Sequence, residues 1–179
     1  VDEAVLTSST LWADAAPDNQ DAQAAAILAQ IDAGHLLEAL ERTRGAHTRD
    51  NGALLQSIAA NAATATDTQR EVLLEQYEQL LAEQPNNVPL LIGTGLLHQQ
   101  QGDLDGALTI AKRARELAPD NVPALILSSG LLHQRGDNAA ALKLVNDQLK
   151  LAPNNTRLRL QYARLLTFEH LDQAQQQFQ

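Results

Sequence analysis

The chain has 179 residues, 44% hydrophobic and 20% charged, a balance that can bury one good core and excludes a disordered polyelectrolyte. A net charge of -9, with no basic stripe interleaved with aromatics, excludes nucleic acid as a partner. Cysteine is absent, which excludes disulfides, thiolate metal sites and a cysteine nucleophile, and no run of about 18 apolar residues is present to span a membrane.

Aromatic residues are scarce while Ala, Leu and Gln abound, which predicts helix throughout, since these side chains lose least on entering one. The opening VDEAVLTSSTLW already reads as helix, and methionine is missing even at position 1. Together these imply a segment of a longer protein, so a missing leader peptide carries no information. Charge is uneven: residues 1–87 carry 14 acidic and 4 basic side chains, net -10, whereas 88–179 carry 8 and 9, net +1. The two ends therefore suit different partners.

A period of 34 residues organises the chain. GDLDGALTIAKRARELAPDN at 102–121 is followed by GDNAAALKLVNDQLKLAPNN at 136–155, which pairs Gly102 with Gly136, Asp103 with Asp137, Ala107 with Ala141 and Pro119 with Pro153. Extended backward, the register meets Gly34, Pro85 and Pro17. Residues 1–19 then form the second half of a repeat, followed by windows 20–53, 54–87, 88–121 and 122–155 and an incomplete window 156–179, all as one array.

In window 20–53, Gly34 and Ala39 fit the register, and the turn-rich stretch GAHTRDNGA at 45–53 predicts a short second helix. Window 54–87 departs most: Thr68 stands where Gly belongs and Leu73 and Leu80 replace small residues, although Tyr77 and Pro85 fit. In window 88–121, Asn87 is the expected N-cap and Pro89 sits in the first turn, where its missing N–H has no intrahelical partner. Gly102 should close that helix in a left-handed conformation, with Asp103 capping the next one. The second helix should run to about Leu117 with Leu104, Ala107, Leu108, Ala111 and Ala114 on one face, and Pro119 forbids its continuation. The last window loses a residue near Glu169 and His170 and has no Gly before LDQAQQQF, which predicts a tightened interhelical turn and a chain end that exposes apolar surface.

A helix pair of this size cannot bury its apolar stripe alone, but stacked neighbours bury it against each other. With Gly95, Ala107, Ala114 and Pro119 at the small and proline places, the 34-residue unit resembles the tetratricopeptide repeat. The resemblance implies an all-α superhelix, an α-α solenoid of helix-turn-helix repeats, that binds protein and takes no cofactor or small-molecule substrate.

No catalytic constellation is present. Gly93, Thr94 and Gly95 begin like a dinucleotide fingerprint, but the third glycine is missing and no strand precedes them. His35, His47, His98, His133 and His170 contain no pair at ligand spacing. Ser128 and Ser129 read as small packing residues in mid-helix rather than a strained nucleophile turn. Glu75 and Glu78 read as a solvated helical face.

By the family resemblance, the groove-facing places are Leu28, Ile58, Ile92, Leu96, Gln99, Gln100, Ile126, His133, Gln134, Arg157, Leu160 and Arg164. That wall is apolar and rich in amides, turning basic toward the C-terminal end. Ile92 and Ile126 equally suit packing between adjacent helices, and Arg157, Arg159 and Arg164 equally suit a solvated face. The repeats that clamp a terminal carboxylate use lysines and asparagines where this chain has Ile92, Leu96, Leu127, Arg157 and Gln161; only the arginine fits, which disfavours that subtype.

A narrower resemblance covers LWADAAPDNQDAQAAAILAQIDAG and LRLQYARLLTFEHLDQAQQQF, which look like segments of gammaproteobacterial periplasmic repeat lipoproteins, protease adaptors among them. It implies a periplasmic adaptor, outer-membrane anchored only through a lipid upstream of Val1. The expected function is a non-enzymatic scaffold for a protein or peptide partner. The alternative is a regulatory segment whose enzymatic domain lies elsewhere in a longer protein.

Overall fold

A computed structural model describes residues 3–46, 48 and 50–176, with side chains as far as Thr167. Those residues are all α: α1 (Glu3–Ala15), α2 (Gln20–Asp32), α3 (Leu36–Gly45), α4 (Asn51–Asn61), α5 (Asp67–Glu83), α6 (Val88–Gln100), α7 (Leu104–Leu117), α8 (Val122–Gln134), α9 (Asn138–Leu151) and α10 (Thr156–Gln176), with a 3-10 turn at Ala62–Thr64. The fold forms two compact units, Val1–Asp103 and Leu104–Gln179.

Four first helices begin in the same way. Asn19, Asn87, Asn121 and Asn155 each use a side-chain oxygen to accept an orphan backbone N–H, from Ala22, Leu90, Ala124 and Leu158, at 3.0 to 3.1 Å. Pro89 and Pro123 occupy the first turn behind two of these caps, where no N–H is missed.

Three of these helices also end alike. Gly34, Gly102 and Gly136 have φ of 81°, 82° and 89°. Each donates its N–H back three residues, and the next residue donates back five, as Gly136 does to His133 (2.8 Å) and Asp137 to Leu132 (2.9 Å). A Cβ at Gly136 would meet nothing within 4 Å, so a substitution there is opposed by backbone strain alone. Gly136→Val should cost about 1 kcal/mol or more, read as a lower urea midpoint; an unchanged midpoint would remove the glycine from the turn's energetics.

Unit 1 packs α2 against α1, α3 and α4, and α6 against α4 and α5. Alanines 13, 22 and 26 are fully buried and let α1 and α2 approach closely. Tyr77 is completely buried, and its Oη donates to Leu55 O at 2.5 Å, tying α5 to α4; burial pushes its phenol above the ordinary tyrosine range. Gly93 faces that ring, since a Cβ there would lie 2.4 Å from Tyr77 Cε1. The Gly-Thr-Gly run is thus interior to α6 and serves packing.

The second helix of window 20–53 is short, as its turn-rich end predicts: α3 has 10 residues. At Thr68 the chain needs no left-handed residue. The turn is built instead from Ala62–Thr64 and a capping box in which the Thr66 hydroxyl accepts from Gln69 N and the Gln69 side chain accepts from Thr66 N.

Unit 2 packs α8 against α7 and α9, and α10 against α9 and α8. Leu125, Ala141, Val145, Leu158 and Leu165 form its core. Ala107, Ala111 and Ala114 on α7 are fully buried, the face expected of them. Ser129 is buried, donates to Ile126 O at 3.0 Å and accepts from Gln161 Nε2 at 3.0 Å, a packed polar contact between α8 and α10. The expected turn at Glu169 and His170 is corrected: α10 continues as one helix to Gln176. The Leu-Asp-Gln-Ala run contains no Gly or Pro to stop it, so loss of one residue from the register is not enough to break a helix. Side chains beyond Thr167, on which the apolar chain end rests, lie outside the described residues.

Candidate partner-binding faces

In unit 1 the first helices α2, α4 and α6 lie side by side. Two residues read as groove-facing are core instead: Ile58 is 0% exposed and Ile92 is 2% exposed. Their place on the helix turns them inward onto neighbouring helices, so Ile92 is corrected from partner contact to packing. Leu96 and Gln99 are half-buried. Gln100, also half-buried, donates from Nε2 to Ala59 O at 2.9 Å, so its amide first serves to join α6 to α4. Leu28 is 48% exposed and lines, with Ala24, Ala53 and Leu54, an apolar cleft of about 280 Å³ between α2 and α4.

His98 sits at the end of α6 between two carboxylates, with Nδ1 2.9 Å from Asp103 and Nε2 3.4 Å from Glu78. Glu78 is therefore not an idle surface charge; it joins α5 to the end of α6.

Unit 2 places Ile126 and His133 half-buried and Gln134 exposed on α8. His133 Nδ1 lies 2.5 Å from Asn138 Oδ1. On α10, Arg157, Leu160 and Arg164 are all exposed and lie at spacings of three and four, hence on one helical face. Leu160 is 52% exposed, and among the described residues Arg157 and Arg164 have no ion-pair partner. Arg159 differs, since it reaches Asn154 Oδ1 at 3.4 Å. Of the expected wall, then, the α10 face is the part that offers free charge beside free apolar surface.

One feature escapes the periodic reading. Gln23 and Gln30, seven apart on α2, are buried amides at the floor of a cleft between α1 and α3. Gln23 donates from Nε2 to Ala13 O (2.9 Å) and accepts at Oε1 from Arg42 (3.3 Å), which also holds Asp14 at 3.0 Å. The signal in the sequence is the pair of glutamines set among Ala22, Ala26 and Ala29.

Residues 98–165 match the tetratricopeptide repeat family. A TPR repeat-containing protein of Pseudomonas aeruginosa is 38% identical over 109 residues, 61% of this chain, and the chain spans only 18% of that relative's length. Among solved structures, a thermophilic TPR protein of Thermus thermophilus superposes with a TM-score of 0.66 at 21% identity, covering 90% of this chain and 89% of that one. A tetratricopeptide repeat protein of Parabacteroides merdae gives 0.54 at 19% identity, over 91% and 58%. At those identities the structures speak to the fold alone, and they agree with the stacked helix pairs described above: residues 98–165 match the tetratricopeptide repeat, and the chain has the all-α fold of tetratricopeptide repeat proteins.

Proposed function

We propose that this chain is a non-enzymatic scaffold or adaptor that holds a protein or peptide partner against the first helices of its repeats. The fold is that of a protein-protein interaction scaffold. The observation that carries the finer reading is the α10 face, where Arg157 and Arg164 flank the exposed Leu160. Such a face fits an acidic or carboxylate-bearing segment that also offers an apolar side chain. Ile126, His133 and Gln134 are the further contacts of this reading in unit 2, and Leu96 and Gln99 are the contacts that unit 1 offers by itself. The sequence resemblance to periplasmic lipoproteins supports an adaptor that links a periplasmic protease to its substrates, with membrane attachment supplied outside residues 1–179. No helix among the described residues is long and apolar enough to cross a membrane.

The test uses a protein captured through a photo-crosslinker at position 160. Its affinity should fall about tenfold for the Arg157→Ala, Arg164→Ala double variant, with helicity unchanged by circular dichroism. The loss should shrink at high salt, where screening has already removed part of the attraction. Arg159→Ala should matter less. Equal affinity for wild type and double variant would make α10's arginines a solvated face and end this reading.

A further inference from the structure

Unit 2 carries a second cleft, built mainly by its second helices. It holds about 410 Å³ and is lined by Arg115 from α7, Leu132 from the end of α8, and Ala140, Lys143, Leu144 and Gln148 from α9. Asp147 also borders it, but that carboxylate already accepts from Lys143 and Lys150, each at 2.7 Å, and the two bonds keep it ionised. Arg115 is different. Three arginines among the described residues are half-buried: Arg42, Arg70 and Arg115. Arg42 is held by Asp14 and Gln23, and Arg70 by Asp67 and the carbonyls of Ala62 and Ala65. Among the described residues Arg115 has neither a hydrogen-bond nor an ion-pair partner. A guanidinium drawn partly out of water without an acceptor is costly to the fold, so its place in a cleft beside half-buried leucines points to an anionic ligand with an apolar stem.

We propose that this cleft binds a glutamate side chain of a protein partner. The carboxylate accepts from the Arg115 guanidinium, whose planar fork suits bidentate pairing, and the Gln148 amide offers a further donor. The methylenes of the glutamate lie along Leu132 and Leu144, and Lys143 at the rim adds attraction. The volume accommodates such a side chain with the backbone on either side of it. The local charge agrees: residues 104–179 carry 7 acidic and 9 basic side chains, net +2. No residue of α10 lines this cleft, so the site stands apart from the α10 face and neither depends on the other.

The experiment titrates the 179-residue chain with a blocked peptide, acetyl-Ala-Leu-Glu-Ala-Ala-amide, and with its glutamine counterpart, which has the same shape and no charge. The Arg115 Nε–H and the Gln148 side-chain amide are followed by nitrogen-proton correlation spectra. The glutamate peptide should shift both resonances saturably and the glutamine peptide should not. Arg115→Gln should weaken binding about tenfold at low salt, with helicity unchanged because no bond within the chain is lost. Arg115→Lys should recover part of the affinity. Arg157→Ala with Arg164→Ala should leave the response as it is; a response lost in that double variant would move the glutamate to α10 and overturn the proposal. Resonances unmoved at millimolar peptide, an equal response to the glutamine peptide, or wild-type binding by Arg115→Gln would overturn it as well. So would saturation by inorganic phosphate with no response to the glutamate peptide, which would assign the cleft to a free anion.

Discussion

Gly93→Ala should destabilise the chain by at least about 2 kcal/mol, although alanine is the better helix former. The added Cβ would lie 2.4 Å from Tyr77 Cε1 and 3.1 Å from Cδ1. The ring cannot swing aside, since it is fully buried and its hydroxyl is held by Leu55 O. Either α6 moves away from α5 or the hydroxyl loses its acceptor, and both outcomes cost more than helix propensity returns. Gly130 in α8 is the comparison. A Cβ there meets nothing within 4 Å, so Gly130→Ala should stabilise by roughly 0.5 to 1 kcal/mol. Opposite signs in paired urea melts are the expected result; the same sign for both would show that Tyr77 yields to α6.

Ala114→Leu should cost on the order of 1 to 3 kcal/mol through overpacking. Ala114 is 0% exposed in a row with Ala107 and Ala111, so three extra carbons have no free space to enter. Lys112 on the same helix has a side chain 76% exposed, and Lys112→Leu should stay within about 0.5 kcal/mol of wild type. Thermal midpoints of the two variants separate crowding from the addition of a leucine as such.

Much of this architecture is legible in the sequence because the 34-residue period is carried by residues with backbone roles. Glycines 102 and 136 mark left-handed turns, Asn87 marks a helix start, and the Gly-Ala-His-Thr run shortens α3. These are local effects, and local effects need no knowledge of neighbours. Thr66 and Gln69 also spell a T-x-x-Q capping box, a local signal that stands in for the glycine missing at position 68 and that the 34-residue register hides. The inward turn of Ile92 is different in kind. Family position places it on the wall, yet which residue of a helix is covered depends on how deeply the neighbour sits. The same holds for Gly93, whose reason for being glycine is a tyrosine on the preceding helix. The α1–α3 cleft is hidden in the sequence because Gln23 and Gln30 look like ordinary helix formers until burial sets them apart.

The contact between Ser129 and Gln161 has a consequence for fidelity of assembly. A chain of near-identical helix pairs risks docking a helix against the wrong copy, since each copy offers a similar apolar stripe. One period before Ser129 stands Gly95, and one period before Gln161 stands Leu127. A helix from another repeat in place of α8 would therefore strand the buried Gln161 amide, and one in place of α10 would forfeit the bond to Ser129, whose hydroxyl keeps Ile126 O. Unit 1 carries the steric counterpart: the residue equivalent to Gly93 in the next repeat is Leu127, which the Tyr77 ring would strike. One polar match and one knob in its hole give otherwise interchangeable repeats an address, so that each finds its own neighbour and not its copy.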